Sequence, residues 1–244
     1  MKVGILGYGE IGRAIDELYI IAGEQPLIRD LERNDFAKGM DVMHVCIPYS
    51  EKFTGVVHRN QIDYKPKLTI IHSTVPVGTT QRHNRYANTV HAPVRGVHPN
   101  LVEGLKTFVM YIGYEDKEIA IKAESILSKL GIDTVIVKDS RHTELAKLLS
   151  TTYYALCISL HAYANKLCDS EGLDFDNVMT NWTDTYNEGY TKLGMESVVR
   201  PTLYPPKDDI IGGHCILQNA KMLQDQFGED EILDAILRHD IRTT

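Results

Sequence analysis

The feature that most constrains this chain is a glycine-rich turn set between a strand and a helix at its start. Val3, Gly4, Ile5 and Leu6 read as a short buried strand, and Gly7-Tyr8-Gly9-Glu10-Ile11-Gly12 follows directly. Ile11, Ala14, Ile15 and Leu18 then recur at helical spacing. In a βαβ unit of this kind the first glycine makes the tight turn, the second lets backbone approach a pyrophosphate, and the third lets the helix pack closely on the strand. The N–H groups that open the helix favour an anion. A G-x-G-x-x-G string alone is weak evidence, and it is the strand before it and the helix after it that give it weight. The second strand is predicted to end at Asp30, eighteen residues beyond Gly12. A carboxylate there accepts hydrogen bonds from adenosine ribose hydroxyls and repels a 2′-phosphate, so NAD is expected rather than NADP. Arg29 and Arg33 stand close enough to weaken that preference. The competing reading is a structural turn that holds no cofactor.

Strand-length apolar runs alternate with helical patterns at 2–6, 26–30, 41–47, 68–72, 89–92, 108–112 and 134–137. That rhythm predicts an α/β fold, a Rossmann-type mostly parallel sheet, with ligands at the carboxyl ends of its strands. Pro48, after the third strand, and Ser73 and Thr74, after the fourth, are placed with the glycine turn as cofactor contacts. Ile119, Ala123, Ile126, Leu127 and Leu130 form an amphipathic helix that Gly131 stops. From Ser140, a suitable N-cap, one long helix is predicted to reach Glu171 and to end at Gly172. Its apolar stripe is Leu145, Leu148, Leu149, Thr152, Leu156, Leu160, Tyr163 and Leu167. Further helices are expected over 176–188, 217–227 and 229–238. Residues 192–215 contain Pro201, Pro205, Pro206, Gly212 and Gly213 and read as a long loop, a length often associated with function. The predicted organisation is therefore a dinucleotide-binding domain over 1–139 and an all-helical domain over 140–244.

With 244 residues, 43% of them apolar, the chain is long enough to bury a real core. A net charge of −7 leaves no basic field for nucleic acid or an anionic membrane surface. The start lacks the apolar core of a signal peptide, and the protein is read as cytoplasmic. Cys46, Cys157, Cys168 and Cys215 include no C-x-x-C pair, and no metal site is expected. Cys157 and Cys168, eleven residues apart on one helix, lie about 16 Å from each other and cannot bridge. The first three cysteines are expected to be small buried residues.

Three segments carry a resemblance. Ser73-Thr74-Val75-Pro76-Val77-Gly78-Thr79-Thr80 follows a strand, Glu144-Leu145-Ala146-Lys147 lies on the long helix, and Gly212-Gly213-His214-Cys215-Ile216 follows the loop. In this order they resemble the UDP-glucose/GDP-mannose dehydrogenase family, within the 6-phosphogluconate and 3-hydroxyacid dehydrogenase-like superfamily. The resemblance implies an NAD-dependent oxidation of an alcohol, with Cys215 as nucleophile, Lys147 stabilising a developing oxyanion, and Thr74 positioning water and cofactor. It also implies a homodimer built on the long helix. A cysteine after two glycines can be approached closely, a helix N-terminus lowers a thiol pKa, and an ammonium stabilises both thiolate and alkoxide.

The departures are as specific. The family's P-E pair corresponds to Pro93-Val94, its asparagine four residues past the lysine to Thr151, and its aspartate four residues past the cysteine to Asn219. The sequence ends about thirty residues beyond Cys215, so a short form lacking the nucleotide-sugar-binding domain is expected. The substrate is accordingly read as a small polar, anionic molecule. Oxidation through a Cys215 thiohemiacetal competes with a single hydride transfer of the 3-hydroxyacid type that uses Lys147 alone, and with a non-catalytic NAD-binding regulatory protein. His91, Arg95 and His98, in the strand end and loop 91–100, and Arg200 in the long loop are candidate substrate contacts. The plain alternatives are a solvated lysine at 147, a small buried cysteine at 215 and ordinary surface arginines.

Overall fold

The computed structural model describes residues 1–96, 100–207, 211 and 214–238, with the side chains of 214 and 215 left out. Seven strands form one sheet: β1 Val3–Leu6, β2 Leu27–Arg29, β3 Val42–Val45, β4 Thr69–Ile71, β5 Thr89–His91, β6 Met110–Tyr114 and β7 Thr134–Lys138. Their order is β2-β1-β3-β4-β5-β6-β7, parallel throughout except where β6 meets β5. All seven predicted strands are present, so the Rossmann-type reading holds. β1 and β3 are buried along their whole length, as strands covered on both faces must be. Val3 and Ile5 point to one core with Ala14, Ile15, Leu18, Leu105 and Leu127. Leu6, Met43 and Val45 point to the other, with Phe53, Val57 and Ile71.

The helices beside the sheet are α1 Glu10–Ile21, α2 Phe53–Tyr64, α3 Thr79–Asn84, α4 Leu101–Thr107 and α5 Lys117–Lys129. Then come α6 Arg141–Glu171, a π-helical turn Asp176–Thr180, α7 Asn181–Lys192, a 3-10 turn Glu196–Val198, α8 His214–Phe227 and α9 Glu231–Leu237. Several details differ from expectation, among them the start of α8 at His214 rather than 217. β6 starts at Met110 rather than 108 because the Phe108 N–H closes α4 on Gly104 O. The 176–188 helix opens as a π turn and runs through Gly189 to Lys192, where Gly194 in a left-handed conformation ends it. The stripe on α6 splits: Leu148 and Thr152 are buried, together with Ala155, Ser159 and Ala162 from outside the stripe, whereas Leu149, Leu160, Tyr163 and Leu167 are exposed. Cys46 and Cys168 are buried and Cys157 only half so.

The chain divides into two compact units, Met1–Lys147 and Leu148–Thr244, with the boundary inside α6. Among the described residues no helix is long and apolar enough to cross a membrane.

Candidate functional site

Successive strands β2 and β3 lie on opposite sides of β1. This reversal opens a crevice at the carboxyl ends of β1 and β3, the place where open α/β sheets bind ligands. The glycine turn sits there. Gly7 has φ +94°, and its N–H donates to Arg29 O at 2.8 Å. A Cβ at Gly7 would fall 2.7 to 2.9 Å from Ile47 and the Cys46 carbonyl carbon. At Gly12 it would lie 2.0 Å from Gly7 O, a backbone atom that cannot step aside. At Gly9 it would meet nothing within 4 Å. Two glycines therefore close the turn onto strand and helix, and the third leaves open space in front of the α1 N-terminus, which no side chain caps. That is the cradle a pyrophosphate requires.

The neighbouring predicted residues gather at the same strand ends. Tyr8 folds back, its hydroxyl donating to Asp16 at 2.6 Å, with the Arg13 and Arg33 guanidinium groups near its ring. Glu10 is an exposed acid in the first turn of α1, and Ile11 packs on the core. Asp30 is exposed, one residue past β2, and accepts the Leu31 N–H at 2.9 Å. The two arginines beside it are engaged: Arg29 bonds Tyr64 and Asn34, and Arg33 pairs with Asp35. Pro48 is exposed beyond β3. The Ser73 hydroxyl donates to Ile47 O at 2.6 Å, stapling the ends of β3 and β4 together, and Thr74 beside it is half-buried.

The most extensive polar structure here was not visible in the sequence. Tyr19 Oη meets His44 Nε2 at 2.8 Å, His44 Nδ1 meets His72 Nε2 at 2.8 Å, and His72 Nδ1 meets Ala92 O at 2.7 Å, all fully buried. The carbonyl can only accept, so the network assigns every proton: His72 Nδ1–H donates to Ala92 O, His44 Nδ1–H to His72, and the Tyr19 hydroxyl to His44. Both rings are neutral, and burial pushes His44 well below the usual histidine range and His72 down to about 4.

His91, expected to contact a substrate, is instead enclosed in the fold. It is fully buried, with Nε2 bonded to Ser73 O at 3.1 Å and Nδ1 to the Thr143 hydroxyl at 2.8 Å. With both nitrogens engaged it offers a substrate nothing. Burial drives its pKa to about 3 against the opposing Ser73 bond, and the charge of Lys147 lowers it further. Lys147 itself is half-buried. Glu144, three residues earlier on the same helix, is fully buried and reaches Gly78 and Thr80. Arg95 is exposed but lies over Phe108 and Tyr111 and donates to Val109 O at 3.2 Å. His98 falls outside the described residues.

In the second unit, Asn219 is buried and its amide donates to the Thr151 hydroxyl at 2.7 Å. The two positions where the sequence departs from the family's asparagine and aspartate thus touch each other through neutral groups. Arg200 stacks on Tyr186 and Tyr190, and its backbone pairs with the Asn187 amide. Gly212 and Gly213 lie outside the described residues, as does the side chain of Cys215 in the first turn of α8. Among the described residues no group of three or more His, Cys, Asp or Glu is placed to hold a metal ion.

No protein-family model matches this sequence, and no curated protein matches it. Solved structures do. The UDP-D-ManNAc dehydrogenase from Pyrococcus horikoshii superposes with a TM-score of 0.82 at 18% identity, over 99% of this chain and 68% of that one. The UDP-N-acetyl-mannosamine dehydrogenase from Staphylococcus aureus gives 0.73 at 15%, over 98% and 67%. The 3-hydroxyisobutyrate dehydrogenase from Mycobacterium tuberculosis gives 0.69 at 17%, over 97% and 91%. This chain has the fold of these sugar-nucleotide and 3-hydroxyacid dehydrogenase structures.

Proposed function

We propose that this protein is an NAD-dependent dehydrogenase that oxidises an alcohol group of a small polar, anionic substrate. The observation that carries this reading is the open face of Gly9 before the α1 N-terminus, at the crevice where the strand order reverses. The residues present fit the cofactor. Gly7, Tyr8, Gly9, Glu10, Ile11 and Gly12 line the pyrophosphate, Asp30 takes the adenosine ribose hydroxyls, and Pro48, Ser73 and Thr74 border the path beyond. When bound, NAD supplies a hydride acceptor. Neither guanidinium beside Asp30 stands idle to receive a 2′-phosphate, since Arg29 and Arg33 already have partners, which favours NAD over NADP.

Lys147 carries the ammonium that stabilises the alkoxide, and Thr74 positions groups at the end of β4. In the sugar-oxidising version Cys215 forms the thiohemiacetal. The neutral Thr151–Asn219 contact favours the second version, in which one hydride leaves and Cys215 takes no part, because a hydroxyl and an amide are poor bases for the hydrolysis that a thioester needs. The exposed α6 stripe supports a homodimer. The cytoplasm is the compartment that suits three free cysteines.

The experiment is calorimetry with NAD and NADP, followed by a search for NADH across UDP-sugars and short 3-hydroxy acids. Binding of neither cofactor to folded protein would end the proposal. NAD binding with no turnover in either direction would leave a regulatory NAD-binding protein. The variant Cys215→Ala decides between the two chemistries: loss of only the aldehyde-to-acid step supports the thiohemiacetal, and unchanged kinetics support the single transfer.

A further inference from the structure

Two polar contacts tie the start of α6 to the segment that follows β4. Glu144, with no exposed surface, accepts three hydrogen bonds: from the Gly78 N–H at 2.6 Å, the Thr80 N–H at 2.8 Å and the Thr80 hydroxyl at 2.7 Å. Gly78 is the left-handed N-cap residue of α3 and brings no side-chain acceptor of its own. The carboxylate from α6 supplies what that helix start lacks. One residue earlier, Thr143 shares its hydroxyl with His91, whose other nitrogen holds Ser73 O. A Cβ at Gly113 would fall 2.2 Å from the Thr143 oxygen, so β6 admits this side chain only because residue 113 is glycine. Ser140 is fixed as well, by its N–H and hydroxyl on Glu115 at 3.1 and 2.8 Å.

Lys147 follows Glu144 by three residues, about 4.5 Å along the helix axis and within roughly 60° of the same face. A buried carboxylate is held in place only if its acceptor sites are filled, and here the backbone of the 78–80 turn fills them. The turn descends from Ser73 and Thr74 by a segment containing Pro76, which has little freedom to absorb a shift. The position of Lys147 is therefore coupled to that of Thr74 by side chains that touch no ligand.

We propose that Glu144 and Thr143 are positioning residues: they brace the first turns of α6 against the Ser73–Thr80 segment and so fix Lys147 relative to Thr74. This rests on the dehydrogenase reading for the roles of Lys147 and Thr74, but the brace itself can be measured without turnover. Hydrogen exchange and the rate at which an amine-reactive ester labels Lys147 are compared in the full chain, Glu144→Ala, Glu144→Gln and Thr143→Val. For Glu144→Ala, exchange over residues 76–84 accelerates at least tenfold and Lys147 labelling at least threefold, while exchange over β1 to β3 stays as in the parent. Glu144→Gln, which keeps one carbonyl acceptor and the side-chain volume, shows the smaller change in the same places. It serves as the decisive variant if the alanine protein does not fold.

Where a substrate has been found, kcat falls at least tenfold. Unaltered exchange over 76–84, or unaltered labelling of Lys147, overturns the brace. So does a loss of protection spread evenly over the whole sheet, which marks a merely structural contact. If the parent protein yields no NADH with any substrate, the dehydrogenase reading fails alone, and exchange and labelling still judge the brace.

Discussion

Acidification from pH 7 to 5 should remove most of this protein's stability, and the buried histidines set the size of the effect. His44, His72, His83 and His91 are all buried, and each is held neutral in the folded chain: His72 and His83 with a pKa of about 4, His91 of about 3, and His44 well below the usual range. In the unfolded chain each returns to about 6.5. Below pH 6.5 the unfolded state therefore binds more protons than the folded one, and stability falls as the pH falls. At pH 5 the values of His72, His83 and His91 are still lower than the pH, so each of these rings costs about 2 kcal/mol and the three together about 6 kcal/mol, with His44 adding in the same direction. A domain's whole stability is typically 5–15 kcal/mol. Glu144 works in the opposite sense: burial raises its pKa despite three hydrogen bonds, so it relieves a little of the loss just above the ordinary carboxylate range. Asp139, held at about 2 by Arg141, and Asp41, lowered by Lys67, titrate in the folded chain below this window. Urea unfolding followed by circular dichroism at pH 7.5, 6.5, 6.0, 5.5 and 5.0 gives the slope directly. Near pH 5.5 it should reach about three protons from His72, His83 and His91, about 4 kcal/mol per pH unit, with His44 adding to it, and His91→Gln should lower it by about one. A slope below one proton between pH 5 and 6 would refute the neutral assignment of these rings.

Other tests address the cofactor cradle and the second unit. Gly12→Ala forces a Cβ to 2.0 Å from Gly7 O and should cost about 3 kcal/mol in urea unfolding while abolishing NAD binding; a stable variant that still binds would show that the turn relaxes. Glu10 places a negative charge in the first turn of α1, where a pyrophosphate is expected. Glu10→Gln should therefore tighten NAD roughly two- to fivefold at low salt, read by calorimetry, with the gain shrinking as salt is added. A double-mutant cycle of Thr151→Val and Asn219→Leu should give a coupling near 1 kcal/mol in thermal unfolding, since the two side chains bond at 2.7 Å; additive effects would deny the contact.

What the sequence made legible was local. The turn at Gly7, Gly9 and Gly12 is specified by backbone sterics within six residues, so its three roles can be read before any fold is known. The strands at 2–6 and 41–47 announce themselves as short, mostly apolar runs. The contacts that organise the strand ends join residues far apart in the chain. Glu144 and Gly78 are 66 positions apart and His44 and His72 are 28, and nothing in local pattern marks a histidine in a strand as one link of a relay. His91 was read as a substrate group for the same reason: its position at the crevice end of a strand is legible, but the burial that neutralises it is not. Spacing puts Glu144 and Lys147 on one helix face but does not report what lies opposite that face, where Glu144 meets Gly78 and Thr80.

The α6 stripe shows the same limit and leads to a definite oligomeric expectation. Periodicity finds one apolar stripe, but the face that is buried is one of small residues, Thr152, Ala155, Ser159 and Ala162, of which only Thr152 belongs to that stripe, and most of the stripe lies on a neighbouring exposed face. That open face carries Leu149, Tyr153, Leu156, Leu160, Tyr163 and Leu167, spaced by 4, 3, 4, 3 and 4 residues. This is the a/d repeat of a helix that packs along another helix. Leu149, Tyr153, Leu160 and Tyr163 are each at least half exposed, and a self-complementary two-fold pairing would bury each residue twice. Covering the exposed half of one leucine contributes about 1 kcal/mol, so Leu160→Lys removes about 2 kcal/mol from a pair and weakens it at least about 30-fold, before any cost of burying the ammonium. Sedimentation equilibrium measures both proteins. The parent should be a dimer at micromolar concentration and the lysine variant substantially dissociated. A monomeric parent, or a variant that pairs as tightly as the parent, would mean that this seam does not join two copies of the chain.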